Sequence, residues 1–350
     1  MLSNFIVIFL TCFTLSVAFT ALIIRTARFH VRLTSDSLDG PQKIHKGHIP
    51  RIGGCAVFAS FIVAGIWWHY NSALSYSALL FAAMPAFLIG LIEDFTKKIS
   101  PSVRLLIALF SGLVFVVLTD ITLRTTSIAF LDTYLKNEAV AIFITVLAIA
   151  TMVNAVNITD GLNGLSLGTS AMIALGSAYI AYQLGDSLIL TSGLMLAAAI
   201  AGLFLFNFPT GRVFLGDGGA YFIGATLAMF AIMLSENNAH ISPFASLLLI
   251  LYPLYEMMRS FVRRAASRSK KVMMPDHDHF HSFAYRSVSA KGTSLPFNNN
   301  ASASVITLSL PAFCCLSASY FYNNQMALII CCAIFIALYE IGIWHLGKSA

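Results

Sequence analysis

Charge is what this sequence has least of. Only 10% of its 350 residues are Asp, Glu, Lys or Arg, where a soluble domain carries about 25%. So few charges cannot cover a globule in water, which leaves an outer surface that faces lipid. A CxxC pair is also absent. Five of the six cysteines, Cys12, Cys314, Cys315, Cys331 and Cys332, lie inside apolar stretches, and Cys55 opens another after Gly53-Gly54. That placement favours packing over disulfides or zinc. No heptad array is present, and no low-complexity tract beyond Asn298–Asn300. Basic residues are missing before the first apolar run, Phe5–Ile24, whereas Arg25, Arg28 and Arg32 follow it. A cleavable leader has the reverse order, so the run reads as a retained helix with its N-terminus outside. Because the basic residues are scattered over loops, no nucleic-acid partner is expected.

What the chain has in quantity is apolar sequence: 58% hydrophobic residues and a mean hydropathy of +0.82. Runs of roughly 17–25 apolar residues span a hydrocarbon core about 30 Å thick. They fall near 5–24, 52–70, 74–92, 102–119, 139–156, 165–184, 187–208, 213–235, 242–262, 303–321 and 325–346. The expected fold is therefore all-α, a polytopic membrane protein of about 11 transmembrane helices in a single domain over 1–350. Lys and Arg test the layout, since they stay cytoplasmic in short loops. With the N-terminus outside, 19 of the 21 fall inside and only Arg124 and Lys136 outside. The C-terminus is then cytoplasmic, with cytoplasmic loops at 25–51, 93–101, 157–164, 208–212 and 263–302.

Five polar clusters interrupt this pattern, and all lie on the cytoplasmic side. KIHKGHIPRIGG, residues 43–54, offers Lys43, His45 and Arg51 before a glycine pair. Glu93 and Asp94 end the third span; adjacent residues on a helix point about 100° apart, so the two carboxylates cannot do the same work. In NAVNITDGLNGL, residues 154–165, Asn154 and Asn157 share a helix face and Asp160 follows one turn on. FNFPTGRVFLGDGG, residues 206–219, ends one span at Asn207 and opens the next with Asp217 among glycines. Such hard oxygen ligands suit magnesium better than zinc. PDHDHFHSF, residues 275–283, alternates His277, His279 and His281, which in a strand would share one side and could hold zinc. Phosphate binding is favoured instead, because no cysteine is near and Arg263, Arg264, Lys270 and Lys271 precede the loop. Ionisable residues at a membrane are functional until shown otherwise.

Together these motifs resemble the polyprenyl-phosphate N-acetylhexosamine-1-phosphate transferases, glycosyltransferase family 4, over roughly residues 43–285. NAVNITDGLNGL matches the family's N-x-x-N-x-x-D-G-x-N-G-L, and FNFPTGRVFLGDGG its F-N…F-x-G-D-x-G. EDFTKK stands where the family usually has Asp-Asp, so Glu93 is a departure. Glu256 in YPLYEMMRSFVRR occupies a position where Asp is common, and Ser282 replaces the last histidine of an H-x-H-H pattern.

The resemblance implies transfer of a sugar 1-phosphate from a UDP-N-acetyl-amino sugar to undecaprenyl phosphate, with UMP released. It implies Asp217 as the magnesium ligand (manganese being an alternative), and Lys43, His45, Arg51, Arg264, His279 and His281 as binding residues, largely for phosphate. Asp94, with Glu93 beside it, would orient or deprotonate the acceptor or help hold the metal. Asn154, Asn157, Asp160 and Asn207 would position nucleotide and sugar. The short histidine loop points away from the peptidoglycan enzyme and toward initiation of O-antigen, capsule or exopolysaccharide, in the bacterial inner membrane with the site facing the cytoplasm. A homodimer is left open. A transporter or lipid flippase is the rival reading, but it would place ionisable residues near the midplane of inverted repeats, and no repeat is found.

Overall fold

The computed structural model describes residues 2–35, 49–68, 73–266, 278–292 and 295–348. Within them the chain is helical throughout, apart from an isolated bridge between Ser35 and Pro50. The helices are α1 (Leu2–Thr34), α2 (Gly54–Trp68), α3 (Ala73–Thr96), α4 (Pro101–Thr119), α5 (Ala129–Leu135), α6 (Glu138–Thr159) and α7 (Leu165–Leu184). They continue as α8 (Ser187–Asn207), α9 (Gly216–Asn237), α10 (Pro243–Ala266), α11 (Phe280–Lys291), α12 (Asn299–Phe321) and α13 (Gln325–Lys348). Ten are long and apolar enough to cross a bilayer. The protein is a polytopic all-helical membrane protein.

Each of the eleven expected runs is a helix. The second, α2, has only 15 described residues, about 22 Å at 1.5 Å per residue, and so falls short of the ten. Two further helices, α5 and α11, lie in connections read as loops. The strand that zinc binding by the alternating histidines would require is not present among the described residues: His279 precedes α11 as its N-cap and His281 is in its first turn. Phe283, Ala284 and Val288 recur there at helical spacing, and Ala284 and Val288 pack with Leu162, Leu165 and Ala303. α1 and α3 also outrun their apolar runs, because hydropathy marks where a helix leaves lipid and not where its hydrogen bonds stop. As a result Glu93 and Asp94 sit on the last turns of α3.

α9 is the axis of the bundle. Its spanning window is 94% buried, against 22% for α1, and it touches α2, α3, α4, α6, α7, α8 and α10. Small residues and hydroxyls join the helices, as expected where water does not drive association. Ser16 Oγ donates to Ala199 O across α1 and α8. Ser111 of α4 donates to Ala82 O and accepts the Ala86 N–H, beside Pro85, whose ring supplies no N–H to the α3 ladder. Loop residues fix the helix starts: Ser100, Asn137, Asp186 and Asn298 each accept a backbone N–H as N-caps.

Candidate active site at one end of the bundle

The start of α9 organises the site. Gly216 has φ +77°, a conformation that costs glycine little, and a Cβ there would collide with the Arg51 carbonyl oxygen. The next residue, Asp217, is buried at 7% exposure and its carboxylate gathers three donors. Arg51 Nη2 donates to Oδ1 at 3.2 Å and Asn157 Nδ2 to the same oxygen at 3.0 Å, while Arg104 Nη1 donates to Oδ2 at 3.1 Å. Four segments, α9, α6, the start of α4 and the residues before α2, thus converge on one acidic side chain.

Asp94 holds that arrangement from below. Its Oδ1 accepts the Asp217 N–H at 2.8 Å and its Oδ2 accepts the Gly218 N–H at 2.9 Å. A carboxylate at a helix N-terminus satisfies N–H groups with no partner in the helix and meets the positive end of its dipole. Gly90, one turn earlier on α3, permits the approach, for a Cβ there would lie 2.6 Å from the Asp217 backbone. Glu93 points elsewhere, as the helix geometry requires: Oε2 accepts the Ile99 N–H at 2.8 Å and Oε1 lies 3.9 Å from Arg104 Nη1. The two carboxylates therefore have separate tasks, with Asp94 on α9 and Glu93 on the α3–α4 turn.

The asparagines divide in the same way. Asn157 joins the Asp217 cradle, whereas Asn154 donates to Ala150 O in its own helix. Asn207 ties two loops together, accepting the Gly164 N–H at 2.6 Å and donating to Val213 O at 2.8 Å. Asp160 caps the end of α6 and its half-buried carboxylate makes no hydrogen bond among the described residues. Burial pushes it up to about 7, with Arg51 opposing that shift and Asp217 adding to it.

α11 brings its histidines to the same end. A Cβ on Gly161 would lie 2.5 Å from His281 Nε2, so His281 abuts the turn that carries Asp160. Burial pushes His281 down to about 4, with Glu256 opposing and His279 adding to the shift. Arg264 folds back on its own helix, Nε donating to Ser260 O at 3.1 Å, and Arg263 donates to Asp278 O. Lys43, His45 and His277 lie outside the described residues.

Two side chains here escaped the sequence reading. Arg104 falls at the start of the fourth expected span and is one of the 19 inside basic residues, yet it completes the Asp217 cradle; the signal is its place on the first turn after Ser100-Pro101. Tyr339 carried no local signal at all, because it reaches Glu256 from α13, 83 residues away.

Among the described residues no three His, Cys, Asp or Glu side chains gather closely enough to hold a metal ion unaided. Magnesium is usually held by one or two carboxylates together with substrate phosphates and water, and the carboxylates this end of the bundle offers it are Asp217 and Asp160.

An all-helical membrane bundle with an acidic residue clamped by arginines at one end is the class that fold and site define. Comparison with known proteins narrows it. The model of glycosyl transferase family 4 matches residues 76–235. A probable undecaprenyl-phosphate N-acetylglucosaminyl 1-phosphate transferase of Bacillus subtilis (strain 168) is 26% identical over 265 residues, 75% of this chain and 73% of the relative. The Yersinia pestis undecaprenyl-phosphate alpha-N-acetylglucosaminyl 1-phosphate transferase is 29% identical over 255 residues, 70% and 68% of the two chains. A phospho-N-acetylmuramoyl-pentapeptide-transferase of Moorella thermoacetica is 34% identical over 127 residues, 36% and 39%. The chain is thus similar to glycosyl transferase family 4 over residues 76–235, and to relatives of that kind over about three quarters of its length.

Proposed function

We propose that this protein transfers a sugar 1-phosphate from a UDP-N-acetyl-amino sugar to undecaprenyl phosphate. An oxygen of the lipid phosphate becomes bonded to the sugar-bearing phosphorus, the bond from that phosphorus to UMP breaks, and UMP leaves with the electron pair. The observation that carries this reading is the Asp217 cradle. Arg51, Arg104 and Asn157 converge on a carboxylate at a helix N-terminus, next to the unpaired carboxylate of Asp160. Phosphoryl transfer asks a protein mainly for in-line positioning and neutralisation of oxygen charge, and two guanidiniums beside two carboxylates provide both.

Magnesium, or manganese in its place, would be held by Asp217 and Asp160 and would neutralise the diphosphate of the donor. Arg51 and Arg104, which reach the two oxygens of Asp217, would add positive charge for the phosphate groups, and Asn157 keeps the Asp217 carboxylate in one rotamer. Asp94 acts through Asp217 by fixing the turn that carries it. Asn207 shapes the loop around the site, and His279 and His281 border it from α11. Lys43, His45 and Arg264 supply further positive or hydrogen-bonding groups for phosphate, and Asn154 borders the nucleotide.

The proposed setting is the bacterial inner membrane with the site facing the cytoplasm, a reading supported by the 19-to-2 distribution of basic residues. The lipid acceptor then comes from the bilayer and the soluble donor from the cytoplasm. Initiation of O-antigen, capsule or exopolysaccharide is the proposed pathway class. The test is UMP release by the purified protein with undecaprenyl phosphate, magnesium and a panel of UDP-amino sugars. A single preferred donor identifies the branch.

A further inference from the structure

His279, the N-cap of α11, is held by a second buried carboxylate, and His281 stacks on the His279 ring with its Nδ1 making no hydrogen bond among the described residues. Glu256 of α10 is 1% exposed, a costly place for a charge unless its lone pairs are filled. They are filled from two helices. Oε1 accepts the Phe280 N–H at 2.8 Å and lies 3.2 Å from His279 Nδ1 and 3.7 Å from His281 Nδ1. Oε2 accepts the Tyr339 hydroxyl at 2.7 Å. The two imidazoles stack with centroids 5.3 Å apart and planes within 3°, so both turn their Nδ1 edges to the same oxygen and their Nε2 edges away from it. His281 Nε2 faces Gly161, beside Asp160. Glu256 therefore does for α11 what Asp94 does for α9: a carboxylate from a spanning helix receives the first N–H of a helix that carries site residues.

Resting on the transferase reading, we propose that Glu256 and Tyr339 are positioning residues for the histidine pair. Glu256 takes the Nδ1–H of His279, which fixes the tautomer and the ring plane and leaves Nε2 as the edge presented to the site. Tyr339 holds the carboxylate in the rotamer that does so, which gives the C-terminal helix a part in the reaction although it lies beyond the residues matched by the family model. Carboxylate partners of this kind, when removed from metal-bound histidines, typically cost 10–100-fold in function.

The experiment combines kinetics with nitrogen NMR on protein carrying 15N-labelled histidine, at pH 8, for wild type, Glu256→Gln and Tyr339→Phe. His279 is assigned by its loss in His279→Gln. Wild type is expected to show His279 neutral and protonated on Nδ1, and Glu256→Gln to shift it toward the Nε2-protonated form. Glu256→Gln should lose about 10- to 100-fold in kcat with KM for the UDP-sugar within about threefold. Tyr339→Phe, which keeps the carboxylate and removes one hydrogen bond, should lose less than Glu256→Gln in the same parameter. Wild-type kcat in both variants, even with a lowered melting temperature, would reduce Glu256 to a structural anchor and overturn the proposal. So would an Nε2-protonated His279 in the wild type. Absence of UMP release from the wild type would instead refute the transferase reading, while the NMR result still decides the tautomer.

Discussion

The carboxylate of Asp94 is bound to the backbone of Asp217, not to its side chain. The two N–H groups it receives, from Asp217 and Gly218 at 2.8 and 2.9 Å, begin the helix that runs through the centre of the bundle. One acidic residue thus sets the position of the other across helices α3 and α9.

That relationship predicts the effect of Asp94→Asn. An amide keeps one acceptor oxygen but sets its NH2 against the second backbone N–H, so the first turn of α9 loosens and Asp217 moves. Misplacement of about 1 Å can cost about a hundredfold in rate, and a loss of at least that size is expected in UMP release from a protein that remains folded. The pH profile of the residual rate should match the wild type, because Asp94 holds a helix. Glu93→Asp should keep much of its activity, since Glu93 serves the Ile99 N–H and Arg104. Normal turnover by Asp94→Asn beside a dead Glu93→Asp would reverse the assignment.

Arg104 provides a second check. A guanidinium offers a rigid fork that a lysine ammonium does not. Arg104→Lys, which retains the charge, should lose about tenfold and Arg104→Ala about a hundredfold in kcat/KM, the spread expected for charge-assisted contacts. Equal rates in both variants and the wild type would remove Arg104 from the site.

Much of this was legible in the sequence. Ten of the eleven expected spans have the length and hydropathy to cross a membrane, and Arg51 and Asn157, from two of the polar motifs, contact Asp217 from a third. The helix α11 was missed inside a segment read as loop 263–302, because its polar residues hide the helical spacing of the packing residues Ala284 and Val288. Periodicity also could not show that Asn154 and Asn207 bond backbone carbonyls and amides, because an asparagine aimed at a ligand and one aimed at a loop look alike in sequence. Tyr339 was out of reach for a different reason, its partner being fixed by tertiary packing over 83 residues, and Arg104 showed only its place at a helix start, with its partner 113 residues away.

The Asp160 carboxyl, pushed up to about 7, predicts how magnesium requirement varies with pH. Below pH 7 the group is mostly protonated and a metal must displace the proton; above it the carboxylate is already free. The half-saturating magnesium concentration should therefore fall about tenfold between pH 6 and pH 8, as expected for one competing proton. UMP release against magnesium at pH 6, 7 and 8 measures it, with Asp160→Asn as the control that flattens the trend. A flat wild-type response would take Asp160 out of the metal site.

Orientation is open to labelling. In a background with the native cysteines replaced, Arg212→Cys lies at the site end and Phe130→Cys on α5 at the other. An impermeant thiol reagent should reach position 130 from outside the cell and position 212 only in inverted vesicles. Labelling of both from the same side would contradict the assigned topology.

The central claim is tested most directly by one assay: purified wild type and Asp217→Asn, in detergent with undecaprenyl phosphate, magnesium and UDP-N-acetylglucosamine or another UDP-amino sugar. The readouts are UMP release and the sugar-diphospholipid formed. The account predicts equal amounts of both products from wild type. It predicts none after chelation by EDTA, recovery when magnesium or manganese is restored, and none from Asp217→Asn that elutes and melts like the wild type. Undiminished turnover by Asp217→Asn or in chelator, or no UMP from wild type with any donor in the panel, would contradict it.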